Sequence, residues 1–196
     1  QKDSDLCRQF GQVLLEQAFE AEIDIGNFER VATIADKIAK NDPANRLARL
    51  FLGVKSYREG NYVLAGTMFK ESSIGPIGEL TATLARAWNE GAQKDLVGAN
   101  EELDVLKTLD WAKFYRLYHR AQIASFTGDN AGAEATFAEL FKSDPRIMSI
   151  ATNYARFRAA GGDNAGAKAI IDQHIAAGSS HPLAVALALS LKKGEP

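Results

Sequence analysis

Residues 46–79 read RLARLFLGVKSYREGNYVLAGTMFKESSIGPIGE. Gly60-Asn61-Tyr62 divides two stretches with apolar residues at helical spacing, and Gly75-Pro76 breaks the second. The same turn recurs along the chain. Gly26-Asn27 precedes Phe28, Gly60-Asn61 precedes Tyr62, Gly128-Asp129 precedes Asn130, and Gly162-Asp163 precedes Asn164. The spacings are 34, 68 and 34 residues, so a turn is due at 94. Lys94-Asp95 stands there, with the acid kept and the glycine replaced. A fixed period of this length is the mark of a repeat architecture.

A small residue follows each turn by five positions: Val31, Ala65, Ala99, Ala133 and Ala167. Four residues on stand Ala35, Phe69, Leu103, Phe137 and Ile171. The i, i+4 spacing puts each pair on one helical face. A small residue there admits a neighbouring helix, which packs on the larger one. Helix-restart signals close each unit: Asp42-Pro43, Gly75-Pro76, Asp110-Trp111 and Asp144-Pro145. Asp caps helix N-termini and Pro suits the first turn. The expected helices cover 5–24, 28–40, 44–59, 63–73, 78–92, 95–108, 111–127, 130–142, 146–160, 164–177 and 182–193. No stretch alternates long enough to be a strand.

This pattern resembles the tetratricopeptide repeat (TPR) family, whose period is also 34. Residues 46–79 carry the best match through Leu52-Gly53, Gly60-Asn61-Tyr62, Ala65 and Phe69. They depart from it at Arg49, where the family has Trp, and at Ser56, where it has Tyr. Asn45-Arg46-Leu47-Ala48-Arg49-Leu50 and Leu80-Thr81-Ala82-Thr83-Leu84 also look like the middle of a longer bacterial protein of this family. The resemblance implies an all-α, right-handed solenoid of antiparallel helix pairs. One array would span 1–196, with repeats near 12–45, 46–79, 80–113, 114–147 and 148–181 and partial helices at both ends.

In such an array the first helix of each pair lines a concave groove. Counted from the start of a repeat, positions 4, 8 and 11 pack inside, and positions 2, 5, 9 and 12 point into the groove. The groove positions are Leu47, Leu50, Val54 and Tyr57; Thr81, Leu84, Trp88 and Gly91; Tyr115, Tyr118, Gln122 and Ser125; and Ser149, Thr152, Arg156 and Ala159. Leu50, Val54, Tyr57, Leu84, Trp88, Tyr115, Tyr118, Gln122 and Arg156 are the candidate binding residues. Large aromatic and aliphatic groups at such positions suit an apolar or amphipathic peptide or helix. The rival reading packs the same aromatics against neighbouring helices. The Lys, Asn and Arg clamp by which some TPR proteins hold a peptide carboxylate is missing from these positions.

Composition narrows the chemistry. The 196 residues hold 23 basic and 25 acidic side chains, net charge −2, without the basic excess of a nucleic-acid binder. The longest mostly apolar stretch, Leu183–Leu191, is far short of a membrane span. No leader of basic and then apolar residues opens the chain, so a soluble molecule is expected. Cytoplasm and periplasm remain equally open.

His119, His174 and His181 are scattered, with no metal-ligand partner one helical turn away, and Cys7 has no activating neighbour. Glu20 and Asp24 read as a solvated helix edge. Phosphate-binding and nucleophile-elbow motifs are missing. These features point to a non-catalytic protein-interaction scaffold without cofactor or metal. The alternatives are an accessory segment of a larger enzyme and a structural oligomerisation module. Arg86 and Arg120 stand where the family has Leu; packed stems are expected, with Glu90 one turn from Arg86. The last helix, Pro182 to Leu189, is apolar nearly all round. A terminal cap would have a polar outer face, so this helix is expected to be covered, either by further residues of a longer protein or by a second copy of the chain.

Overall fold

The computed structural model describes residues 2–179 and 181–193, with side chains described over 11–179 and 181–190. Among the described residues every regular element is helical. The order is α1 (Lys2–Asp24), α2 (Phe28–Asn41), α3 (Arg46–Arg58), α4 (Tyr62–Glu71), α5 (Gly75–Ala92), α6 (Leu96–Asp104), α7 (Lys113–Thr127), α8 (Asn130–Ser143), α9 (Met148–Ala160), α10 (Asn164–Ala176) and α11 (Pro182–Lys193). Two 3₁₀ turns, Val105–Thr108 and Asp110–Ala112, lie between α6 and α7. All eleven expected helices are present. The largest differences are α1 and α5, which each start three residues early, α5 with Pro76 in its first turn, and α6, which tightens into 3₁₀ geometry at Val105.

The recurring turn has one local cause. Asn27, Asn61, Asp95, Asp129 and Asp163 each accept a hydrogen bond from the backbone N–H three residues on, capping α2, α4, α6, α8 and α10. The residue before each cap is left-handed: Gly26, Gly60, Lys94, Gly128 and Gly162 have φ between 66° and 93°. Only Lys94 pays the Cβ penalty of that conformation. Gly98, Gly132 and Gly166 have a second reason to be glycine. A Cβ at any of them would lie within 2.7 Å of the capping carboxylate.

The chain forms two compact units, residues 1–106 and 107–196. In the first, α1 pairs with α2, α3 with α4 and α5 with α6, while α2 packs on α3 and α4 on α5. In the second, α7 pairs with α8 and α9 with α10; α8 packs on α9 and α11 closes on α10. All ten small-then-large residues of the repeat are buried, from Val31 and Ala35 to Ala167 and Ile171. The inner position eight of each first helix is buried too: Phe19, Gly53, Ala87, Ala121 and Ala155.

Buried polar groups join neighbouring helices. Asn89 on α5 donates to the Tyr62 carbonyl at the start of α4, 3.1 Å away. His174 on α10 is fully buried, and its Nδ1–H donates to the Pro145 carbonyl at 2.7 Å. A carbonyl can only accept, so the bond sets the tautomer of the ring. Arg158 on α9 binds Glu134 of α8, the Tyr154 hydroxyl and the cap Asp163 of α10, the last at 2.8 Å. Arg86 departs from expectation: its partners are Glu102 on α6, 2.9 Å away, and the Thr83 hydroxyl, rather than Glu90. The guanidinium reaches across the helix pair, where a carboxylate of α6 meets it.

Candidate functional site

The candidate residues lie on the first helices of the pairs. In the first unit, Leu50, Val54 and Tyr57 stand on α3, and Leu84 and Trp88 on α5, which packs beside α3. All five are half-buried. Leu47, one turn before Leu50, is 44% exposed. Tyr57 meets Tyr62 edge-on at 5.8 Å, and burial raises its hydroxyl pKa above the usual range. Next to it, Arg58 lies over the Phe28 ring at 3.8 Å, and Phe28 packs on Phe51.

In the second unit, Tyr115, Tyr118 and Gln122 stand on α7 and Arg156 on α9. Tyr115 is 43% exposed and Arg156 is exposed. Tyr118 stacks on Phe114 at 5.6 Å, and Phe114 meets Tyr115 edge-on at 5.5 Å. The Tyr118 hydroxyl accepts from Asn153 Nδ2, so α7 and α9 are tied together. His119, edge-on to Tyr118, has its pKa lowered by burial, which keeps the ring neutral.

Two expected groove positions are not available. Gly91 and Thr152 are buried, and Thr152 returns its hydroxyl to the Met148 carbonyl at 2.8 Å. Both are small, so the helices close over them. Asn153 was not legible in the sequence, because its role comes from a tyrosine 35 residues away. Trp111, 51% exposed, was also missed. With Phe114, Leu117 and Leu140, and with the charged Asp110, Lys113 and Glu139, it borders a cavity of about 330 Å³ at the start of α7. Among the described residues no cluster of three or more His, Cys, Asp or Glu could hold a metal ion, and no helix is long and apolar enough to cross a membrane. Cys7 and the side chain of Leu191 lie outside the described side chains.

Helix pairs joined by capped glycine turns and repeated every 34 residues define a helical-repeat protein. The particular fold is that of the tetratricopeptide repeat, as solved structures show. A tetratricopeptide repeat protein from Parabacteroides merdae superposes with a TM-score of 0.70 at 15% identity, covering 92% of this chain and 71% of that one. PilF of Pseudomonas aeruginosa gives 0.61 at 17% identity, over 95% and 85%. PilW, a widely conserved type IV pilus biogenesis factor, gives 0.64 at 13% identity, over 93% and 84%. No family model and no curated protein matches the sequence.

Proposed function

We propose that the chain is a non-catalytic interaction scaffold that binds apolar or amphipathic peptide segments on the first-helix faces of its two units. One observation carries the reading. Along the same helices, position eight is buried, while Leu50, Val54, Leu84, Trp88, Tyr118 and Gln122 at positions five and nine are only half-buried and Leu47, Tyr115 and Arg156 are exposed. On this reading Leu50, Val54, Tyr57, Leu84 and Trp88 form one face, and Tyr115, Tyr118, Gln122 and Arg156 form the other. Aromatic groups that keep area to bury, on helices already fixed by packing, are suited to anchor a ligand at low entropy cost. The test is selection of binders from a random-peptide display library, followed by substitution of Trp88 and Tyr115. Binders that ignore both substitutions would remove these faces from the function.

A second surface supports self-association. On α11, Ala184 is buried and Leu187 and Ala188 pack on the core of the second unit, while Leu183, Val185 and Leu189 are 44–56% exposed. Exposed apolar patches of this kind mark interaction sites. Sedimentation equilibrium of the chain beside Leu183→Glu/Leu189→Glu should show an association that the double variant lacks. A monomer at all concentrations would dismiss this surface.

A further inference from the structure

We infer that the cavity at the start of α7 is a separate binding site, which takes an arginine side chain of a partner peptide. None of the groove residues named above lines it, so the inference stands apart from the two faces.

Its rim begins with an aspartate released from its usual task. At the restarts Asp42-Pro43 and Asp144-Pro145 the aspartate carboxylate accepts the N–H two residues on, from Ala44 at 3.1 Å and from Arg146 at 3.0 Å. Among the described residues Asp110 makes no such bond, and both the 3₁₀ turn Asp110–Ala112 and helix α7 start without a side-chain cap. Glu139 lines the same cavity from α8 and also lacks an ion pair or a side-chain hydrogen bond among the described residues. Tryptophan takes the place that proline has at the other two restarts, and its indole is 51% exposed beside the two acids. The half-buried Phe114 and the buried Leu117 and Leu140 supply the apolar part. Lys113 is the base of the lining; it pairs with neither acid among the described residues, and the lining keeps a charge of 1 − 2 = −1. The nearby Lys142 lines a different cavity, with Phe141 and Pro145.

An arginine matches each part. Its methylenes can lie on Phe114, Leu117 and Leu140, while the planar guanidinium stacks on the indole and offers a fork of N–H donors to the carboxylates. The same unit shows the combination within the chain itself: Arg158 pairs with Glu134 of α8 and with Asp163, and lies 5.4 Å from the Tyr154 ring. The cavity, about 330 Å³, is at the lower end of ligand sites and suits one long side chain. An acidic side chain would meet two carboxylates against one ammonium, and an uncharged one would leave the carboxylates unmatched.

The probe is the blocked peptide acetyl-Gly-Leu-Arg-Leu-Gly-amide, beside counterparts with citrulline or glutamate in place of the arginine. Citrulline keeps the shape and removes the charge. Binding is followed by the Trp111 indole N–H signal in nitrogen–proton correlation spectra, assigned with Trp111→Phe. The arginine peptide should shift that signal saturably, and the citrulline peptide should bind roughly fivefold to tenfold more weakly. Glu139→Gln and Asp110→Asn should each weaken the arginine peptide roughly twofold to fivefold and leave the citrulline peptide unchanged, and Lys113→Gln should strengthen the arginine peptide. All three side chains are exposed, so these variants should fold, which the rest of each spectrum verifies. Equal binding of the arginine and citrulline peptides, glutamate binding as well as arginine, or indifference to both acid variants would overturn the inference. So would a Trp111 signal that no peptide moves at millimolar concentration. None of these outcomes touches the groove reading, which Trp88 and Tyr115 substitutions test.

Discussion

The ring of Phe69 occupies the space that a side chain at Gly53 would fill. A Cβ built on Gly53 would lie 2.5 Å from two carbons of that ring, inside any allowed contact. Position eight of the later first helices carries Ala87, Ala121 and Ala155, so the exception is specific to the α3–α4 pair. A phenylalanine on one helix and a missing methyl on its neighbour are therefore one packing solution.

Gly53→Ala should destabilise the chain. Alanine in a helix interior normally gains about 0.5–1 kcal/mol over glycine. Here the methyl meets an aromatic ring that is itself buried, and overpacking costs about 1–3 kcal/mol. Urea midpoints should fall for Gly53→Ala and rise for Gly11→Ala, where no atom of the described residues lies within 4 Å. Equal shifts in one direction would refute the account.

Lys94→Gly should stabilise it. Lys94 has φ 66° at a turn where the four equivalent residues are glycine. Relief of the left-handed penalty, offset by the greater freedom of glycine in the unfolded chain, should leave a gain of about 0.5–1 kcal/mol. A lower thermal midpoint would show that this turn is held by other means.

Ala99→Leu should cost about 1–3 kcal/mol by overpacking. Ala99 is fully buried one helical turn from Leu103, also fully buried. An unmoved denaturation midpoint would contradict the close helix approach at this position.

Trp88→Ala separates ligand anchor from core. As an anchor, Trp88 should lower the affinity of a library-selected peptide by about 2 kcal/mol or more when removed, with little loss of stability. A severely destabilised variant would place Trp88 in the core. A stable variant with undiminished binding would exclude it from the site.

Acid should loosen the α9–α10 junction. The Asp163 carboxylate accepts from the Gly166 N–H and pairs with Arg158, and both lower its pKa, the backbone bond more. A lowered native pKa contributes stability that is present above the unfolded value of about 3.9 and lost as pH falls through the native one. Asp163→Asn keeps the cap, as Asn27 and Asn61 do, but not the charge. Its stability should therefore fall less than that of the wild type on acidification below pH of about 4. Parallel curves would show that Asp163 does not contribute to the acid response.

The sequence by itself determined the helices, their turns and their inner faces. Those features depend on neighbours three, four and five residues away: a glycine free to be left-handed, an Asn or Asp that caps the next helix, a small residue one turn before a large one. Repetition every 34 residues made the weak signals at Lys94 and Asp95 readable through Gly60-Asn61 and Gly128-Asp129. Only the tertiary structure decided where polar side chains find partners. Arg86 reaches Glu102 rather than Glu90, Asn153 meets Tyr118, and Arg158 joins three helices. It also withdrew Gly91 and Thr152 from the groove. These outcomes depend on helices brought together from distant parts of the chain. Long side chains choose among several partners within reach, and small residues are covered as far as the neighbouring helix can approach. Helical periodicity gives the direction of a side chain, and packing alone determines what stands there.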